Sequence, residues 1–223
     1  MSVKQKIFLT GGSGTLGSEL VKINPQIIAP LREECNILLL EDLEKSLDVV
    51  QPDIFVHAAA FTNVVEAEKD SAECVDVNVL GTINVIRACS QRDLKLVFIS
   101  TDYVFDGEKG NYDVDASINP LSKYAKTKGA AELIVRTYPK HLVIRTSFFG
   151  HKFPYKKALL DQWTIAPKIL KKILSDKMGI VHVGSSRRSM YEIAKTRNSL
   201  VEGITMKDIG FPIPRDVSLK VSE

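Results

Sequence analysis

The chain has 223 residues, 44% of them hydrophobic and 26% charged, with a formal net charge of +3. That length suits one domain with its own core, unaided by metals or disulfides, and the small charge argues against a nucleic-acid partner. No apolar run approaches the roughly 18 residues of a membrane span, and the opening MSVKQK leads into a strand instead of a signal-peptide core, so the expected location is cytoplasmic.

Cys35, Cys74 and Cys89 are odd in number and have neither zinc nor redox spacing, so they read as ordinary reduced cysteines. His57, His141, His151 and His182 are dispersed and give no metal motif. Lys152, Lys156, Lys157, Lys168, Lys171 and Lys172 thicken one later stretch, but without the interleaved aromatics on which bases stack.

Lys6 to Thr10 reads as a short apolar strand that runs directly into Gly11-Gly12-Ser13-Gly14-Thr15-Leu16-Gly17 and then a helix. In this Gly-x-x-Gly-x-x-Gly turn, Gly11 permits the tight reversal, Gly14 lets backbone approach a pyrophosphate and Gly17 lets the helix pack closely on the sheet. The helix N-terminus adds unpaired N–H groups and a positive dipole end, so the turn points to a dinucleotide. A second strand is expected near Gln26 to Ala29, between Pro25 and Pro30. An acidic residue at its end would accept from the ribose 2′-hydroxyl of NAD. Here the chain offers Leu31-Arg32 and then Glu33; Arg32 can pair with a 2′-phosphate, which favours NADPH over NADH, and a solvated surface arginine is the competing reading.

Asn36-Ile37 precede a helix carrying Leu40, Leu43 and Leu47, and Asp53 to His57 reads as a buried third strand ending in Ala58-Ala59-Ala60. Small residues at a strand's C-terminal end leave room for a flat cofactor against the backbone. Val64 to Gln91 is a long helical region broken near Asp70-Ser71, with Asn78 and Gly81 inside it. A mid-helix Asn either bends the helix towards a water or joins two helices as a packed polar residue. Leu94 to Ile99 is the fourth strand and delivers Ser100-Thr101-Asp102 to the same edge, followed by a loop reaching to Asn119.

Asn119 as N-cap and Pro120 at the first helical position predict a helix that runs until Pro139. It carries Tyr124 and Lys128 four residues apart, on one face. A cation beside a phenol pulls its pKa down from about 10, so the pair offers a usable acid. Alone this spacing is weak, since a half-buried Tyr beside a solvated Lys is commonplace; with Thr101 it makes two donors for one carbonyl oxygen. His141 to Thr146 is a fifth strand, followed by helices over Trp163 to Leu174 and Ser186 to Leu200, a strand over Ile180 to Val183 and an irregular end with Pro212, Pro214 and Arg215. The fold class is α/β, a Rossmann-type doubly wound parallel sheet with a small, shortened C-terminal substrate-binding part; the expected division is residues 1–150 and 151–223.

With these segments in place the chain resembles the extended short-chain dehydrogenase/reductases, and more narrowly the dTDP-4-dehydrorhamnose reductase family. HAAAFTNV (57–64), STDYVFDG (100–107) and NPLSKYAKTKGAAE (119–132) carry the resemblance, with weaker echoes in GIVHVGSSRRSMYEIA and PRDVSL. It implies reduction of a 4-keto deoxysugar nucleotide, dTDP-4-dehydro-L-rhamnose in the first place, with NADPH or NADH as coenzyme and no metal in the assigned site. Tyr124 would protonate the keto oxygen, Lys128 would hold the nicotinamide ribose, and Thr101 would hydrogen-bond the keto oxygen. Thr101, Asp102, Tyr103 and Phe148 would contact the sugar. Gly11, Ser13, Gly14, Thr15, Leu16, Gly17, Asn36, Ile37, Ala59, Ala60 and Ser100, together with Arg32, Tyr124 and Lys128, would hold the dinucleotide. Asn36 stands where the family usually has Asp. The partner implied is a small nucleotide sugar, with neither nucleic acid nor membrane, and the resemblance allows for a homodimer. After Gly150 the chain is shorter than the family pattern, and it ends at Glu223 short of a usual final helix. Two other readings stand beside the reductase. One is a non-catalytic dinucleotide-binding subunit of the kind that regulates methionine adenosyltransferase. The other is an epimerase or dehydratase, disfavoured because the acidic pair that dehydratases add beside the catalytic Thr is missing from Thr101-Asp102-Tyr103.

Overall fold

Alternating side chains organise the molecule. Along each strand successive residues face opposite sides of the sheet, so an apolar strand serves two cores at once. The computed structural model describes residues 5–147, 162–184, 190–195, 199–200, 202–203, 210 and 212–221. Five parallel strands, β1 (Ile7–Thr10), β2 (Ile54–His57), β3 (Lys95–Thr101), β4 (His141–Thr146) and β5 (Gly179–Val183), pair in chain order. Ile7, Leu9, Ile54, Val56, Val97, Ile99, Leu142 and Ile144 share one core with α1 (Thr15–Ile23) and α7 (Gln162–Ile173). Phe8, Phe55, Leu96, Phe98 and Val143 point the other way, towards α2 (Leu40–Val50), α5 (Gly81–Gln91) and α6 (Lys123–Val135). The expected parallel α/β architecture is what the chain adopts.

Two expectations are corrected, and a third falls largely outside the described residues. The strand expected at Gln26 to Ala29 reduces to a single parallel bridge between Ile28 and Phe8. Pro25 and Pro30 lack the N–H that a longer ladder needs. The helix expected to start at Asn119-Pro120 begins at Lys123, because Ser122 provides the cap by accepting from the Ala125 N–H at 3.1 Å. Asn119 is used elsewhere: its N–H donates to the Val104 carbonyl at 2.8 Å and its side-chain amide donates to Asp106 at 3.2 Å. Of the helix expected over Ser186 to Leu200, the described part is α8 (Met190–Lys195).

The long helical region is broken where expected and then broken again. α3 (Val64–Lys69) and α4 (Ala72–Val75) are separated at Asp70-Ser71, and a π-helical turn (Asp76–Leu80) leads into α5. A π turn adds a residue to the helical circuit, and such turns cluster near functional sites. Asn78 in it joins two parts of the fold, as the second of the two readings had it. Its side-chain oxygen accepts from the Phe61 N–H at 2.8 Å, while its amide donates to the Phe61 carbonyl at 3.1 Å and to Thr127 at 2.9 Å.

Beyond residue 150 the sheet continues, since β5 pairs with β4 over Leu142 to Thr146. The segment 214–220 then lies across the loop that follows β3. Tyr112 and Leu219 form a parallel bridge, the Asp216 N–H donates to the Gly107 carbonyl at 3.0 Å, and Val217 and Leu219 pack on Val104, Phe105 and Tyr112. Among the described residues no helix is long and apolar enough to cross a membrane.

Candidate active site

The C-terminal edge of the sheet gathers the residues that the sequence singles out. Gly11 leaves β1 at φ +82°, a conformation that side chains with a Cβ rarely adopt. A Cβ there would also lie 2.5 Å from the Ala59 nitrogen, so the glycine turn is pressed against the end of β2. Gly17 faces the Gly11 carbonyl with no room for a side chain, which seats α1 on the turn. Ser13, Gly14 and Thr15 are exposed. Gly14 caps α1 without a side-chain hydrogen bond, and no acidic residue stands in the first turn. The first N–H groups of α1 therefore have no side-chain cap, at the end of a turn pressed against Ala59, an arrangement suited to a pyrophosphate.

Arg32 is exposed in the turn after the Ile28 bridge. Gly12 connects that turn to the site, since a Cβ on Gly12 would meet the Ala29 methyl at 2.6 Å. Asn36 is partly buried and its side-chain oxygen accepts from the Leu38 N–H at 3.1 Å. Ile37 is buried against Gly81.

Tyr124, Lys128 and Thr101 come together from α6 and the end of β3. Thr101 sits at the last position of β3; its hydroxyl donates to Asp102 at 3.1 Å and accepts from the Tyr103 N–H at 3.2 Å. The same hydroxyl lies near the Tyr124 phenol and favours its ionised form. Burial outweighs this and pushes Tyr124 above the ordinary range, with Asp102, Tyr103 and Cys74 acting in the same direction. The expectation of a lowered tyrosine pKa is thus corrected, because desolvation of the phenol exceeds the single opposing effect, that of the Thr101 hydroxyl.

Lys128 explains part of the difference. Its side chain runs inwards, 4% exposed, to donate to the Ile99 carbonyl at 2.9 Å, with Nζ 4.1 Å from the centre of the Phe98 ring. Burial lowers its pKa from 10.5 to about 7, while Glu132 and Cys74 oppose the fall. Asp102 is buried as well and raised to about 6 by desolvation, against hydrogen bonds from Ser147 and Thr101. Burial lifts Tyr103 to about 12, helped by Asp102. Phe148 lies outside the described residues.

Two residues were not singled out by the sequence reading. Glu132, one turn beyond Lys128, and Arg145, inside β4, form an ion pair of 2.6 Å whose side chains are 0% and 1% exposed. The signal was available, because a Glu on the buried face of one element and an Arg within the apolar run of another must be paired to be buried at all. Ser100, expected at the cofactor, directs its hydroxyl to Glu132 at 2.7 Å. Among the described residues no group of three or more His, Cys, Asp or Glu could hold a metal ion.

A family model described as the RmlD substrate binding domain matches residues 5–163. dTDP-4-dehydrorhamnose reductase of Aggregatibacter actinomycetemcomitans is 31% identical over 66% of this chain and 54% of its own length. Spore coat polysaccharide biosynthesis protein SpsK of Bacillus subtilis is 35% identical over the same shares, 66% and 54%. The chain therefore spans about half the length of these curated relatives. Among solved structures, dTDP-4-dehydrorhamnose reductase from Bacillus anthracis in complex with NADP superposes with a TM-score of 0.88 at 25% identity, covering 99% of this chain and 91% of that one.

Proposed function

The chain belongs to the RmlD substrate-binding-domain family, and on that premise we propose that it is an NAD(P)H-dependent oxidoreductase that reduces the keto group of a sugar nucleotide. The finer substrate proposed is a dTDP-4-keto-6-deoxyhexose, with dTDP-4-dehydro-L-rhamnose first. The observation that carries this reading is the meeting of Thr101, Tyr124 and Lys128 at the sheet edge that also bears the uncapped glycine turn.

The residues fit a dinucleotide. The uncapped N–H groups of α1 suit its pyrophosphate, and Arg32 stands ready for a 2′-phosphate, which favours NADPH over NADH. Lys128 gives one N–H to Ile99 and has two more for ribose hydroxyls. When bound, the reduced nicotinamide supplies hydride. The Tyr124 phenol is protonated at neutral pH and has a proton to give; burial makes it a weaker acid, so the transfer depends on stabilising the negative charge left on it. Tyr124 gives its proton to the keto oxygen as negative charge develops there, and the Thr101 hydroxyl turns from Asp102 to donate to the same oxygen. The phenolate left on Tyr124 is stabilised by the Lys128 ammonium, whose pKa of about 7 rises as that negative charge appears. Asp102, Tyr103 and Phe148 are the proposed sugar contacts, the division of the chain near residue 150 is proposed as its functional layout, and a homodimer is the proposed assembly.

The test is to titrate the protein with NADPH and NADH by fluorescence, then add dTDP-4-dehydrorhamnose and follow the nicotinamide absorbance. Oxidation is expected, and in Tyr124→Phe turnover should fall by about two to four orders of magnitude while the coenzyme still binds. Unchanged turnover in that variant would sink the mechanism. Tight coenzyme binding without turnover would move the reading to a regulatory subunit.

A further inference from the structure

Tyr124, Lys128 and Glu132 succeed one another at four-residue intervals on α6, so they lie along one face of the helix. The strand below grips that face twice in succession. Lys128 donates to the Ile99 carbonyl at 2.9 Å, and the next residue, Ser100, donates to Glu132 at 2.7 Å. Thr101 follows. Two adjacent turns of α6 are thereby held by two adjacent residues of β3, which sets how far the Tyr124 phenol stands from the Thr101 hydroxyl.

The second grip needs a charge. A carboxylate that is 0% exposed costs several kcal/mol unless a cation shares its burial. Arg145 provides that cation from the position of β4 that pairs with Ser100 in the sheet. Its guanidinium reaches Glu132 through Nε at 3.1 Å and Nη2 at 2.6 Å, and Nη1 donates to the Val114 carbonyl at 3.0 Å. Neighbouring strands thus converge on one side chain of α6.

We propose that Glu132 is a positioning residue for the reaction: held by Ser100 and Arg145, its carboxylate keeps α6 in register with β3 and stands one helical turn from the Lys128 ammonium. Only its link to turnover rests on the reductase reading. The groups that face Lys128 are Tyr124 and Glu132 on its own helix, Cys74 from α4 and His57 from β2, while Arg145 and His182 lie beyond Glu132. Glu132 raises the lysine pKa against the burial that lowers it, so without the carboxylate Lys128 loses its proton at lower pH.

The experiment follows the Lys128 side-chain resonance through a pH titration of 15N-lysine-labelled protein with no nucleotide added, the signal being assigned by its loss in Lys128→Met. Glu132→Gln is expected to lower the midpoint by about one unit or more, and Ser100→Ala by less, since the carboxylate stays but is held less firmly. In turnover assays the high-pH limb of kcat should move down by the same interval, with KM for the coenzyme changed less than about twofold. If Glu132→Gln does not fold, Ser100→Ala decides. A midpoint unmoved in a variant that melts cooperatively overturns the proposal, as does a loss of kcat with an unmoved pH profile. Absence of turnover in the unmodified protein would count against the reductase reading alone, because the titration needs no substrate.

Discussion

His57 is 1% exposed between two hydroxyls, Thr10 at 2.9 Å from Nδ1 and Thr82 at 3.1 Å from Nε2. Burial, with Lys128 adding to it, lowers its pKa from 6.5 to about 3. Between those values the unfolded chain binds a proton that the folded protein refuses. The contribution to stability is therefore complete above pH 6.5 and is lost as the pH falls towards 3. From pH 7 to pH 5 this amounts to about 2 kcal/mol. Asp102 acts in the opposite sense, because its raised pKa of about 6 makes the folded state hold a proton more firmly. Its stabilising effect is present below the unfolded value of 3.8 and lost as the pH rises through 6. Comparing His57→Gln with the unmodified protein cancels the Asp102 effect. Urea unfolding at pH 7 and pH 5 should show the unmodified protein losing about 2 kcal/mol more than the variant. Equal losses would mean that the ring is charged or solvated in the native state. That His57 would be structural was legible, since it ends an apolar strand. The strength of its desolvation was not, because that depends on β1 and α5 closing over it.

At the scale of elements, the start of α6 separates local from tertiary information. Asn119-Pro120 is a sound start signal by propensity, and Ser122 is an equally good cap three residues on. Contacts from elsewhere decide between them. Asp106 and Val104 take the donors of Asn119, while Glu68 accepts from the Lys123 backbone N–H at 2.6 Å and its carbonyl accepts from the Lys123 ammonium at 2.7 Å. Ser122 is 0% exposed, so water cannot replace its hydroxyl. Ser122→Ala should cost about 1 to 2 kcal/mol in urea unfolding, whereas Asn119→Ala should cost less, its amide bond to Asp106 being exposed. The reverse order would restore the earlier start. Ile28 teaches the same lesson in a strand, where two prolines leave a bridge in place of a ladder.

For the molecule as a whole, the two cores on either side of the sheet need the elements after residue 150. Ile165, Ala166, Ile169 and Ile173 of α7 pack with Leu16 and Leu20 of α1 on the face opposite α6. Ile169 is 0% exposed, and Ile169→Ala should destabilise the protein by about 2 to 5 kcal/mol with an unchanged urea m-value. Two separate unfolding transitions, with the Rossmann part unaffected, would show instead that α7 is an independent appendage. By itself the sequence determined the five strands of the sheet, the glycine turn and the helix face bearing Tyr124 and Lys128, because period-two alternation, glycine dihedrals and four-residue spacing act within a few neighbours along the chain. Only the tertiary structure decided that burial raises the Tyr124 pKa, that Lys128 turns inwards to Ile99 and that Glu132 is shared by Ser100 and Arg145. Those outcomes depend on desolvation and on strand register, which are set by every element packed around a group and not by its place in the chain.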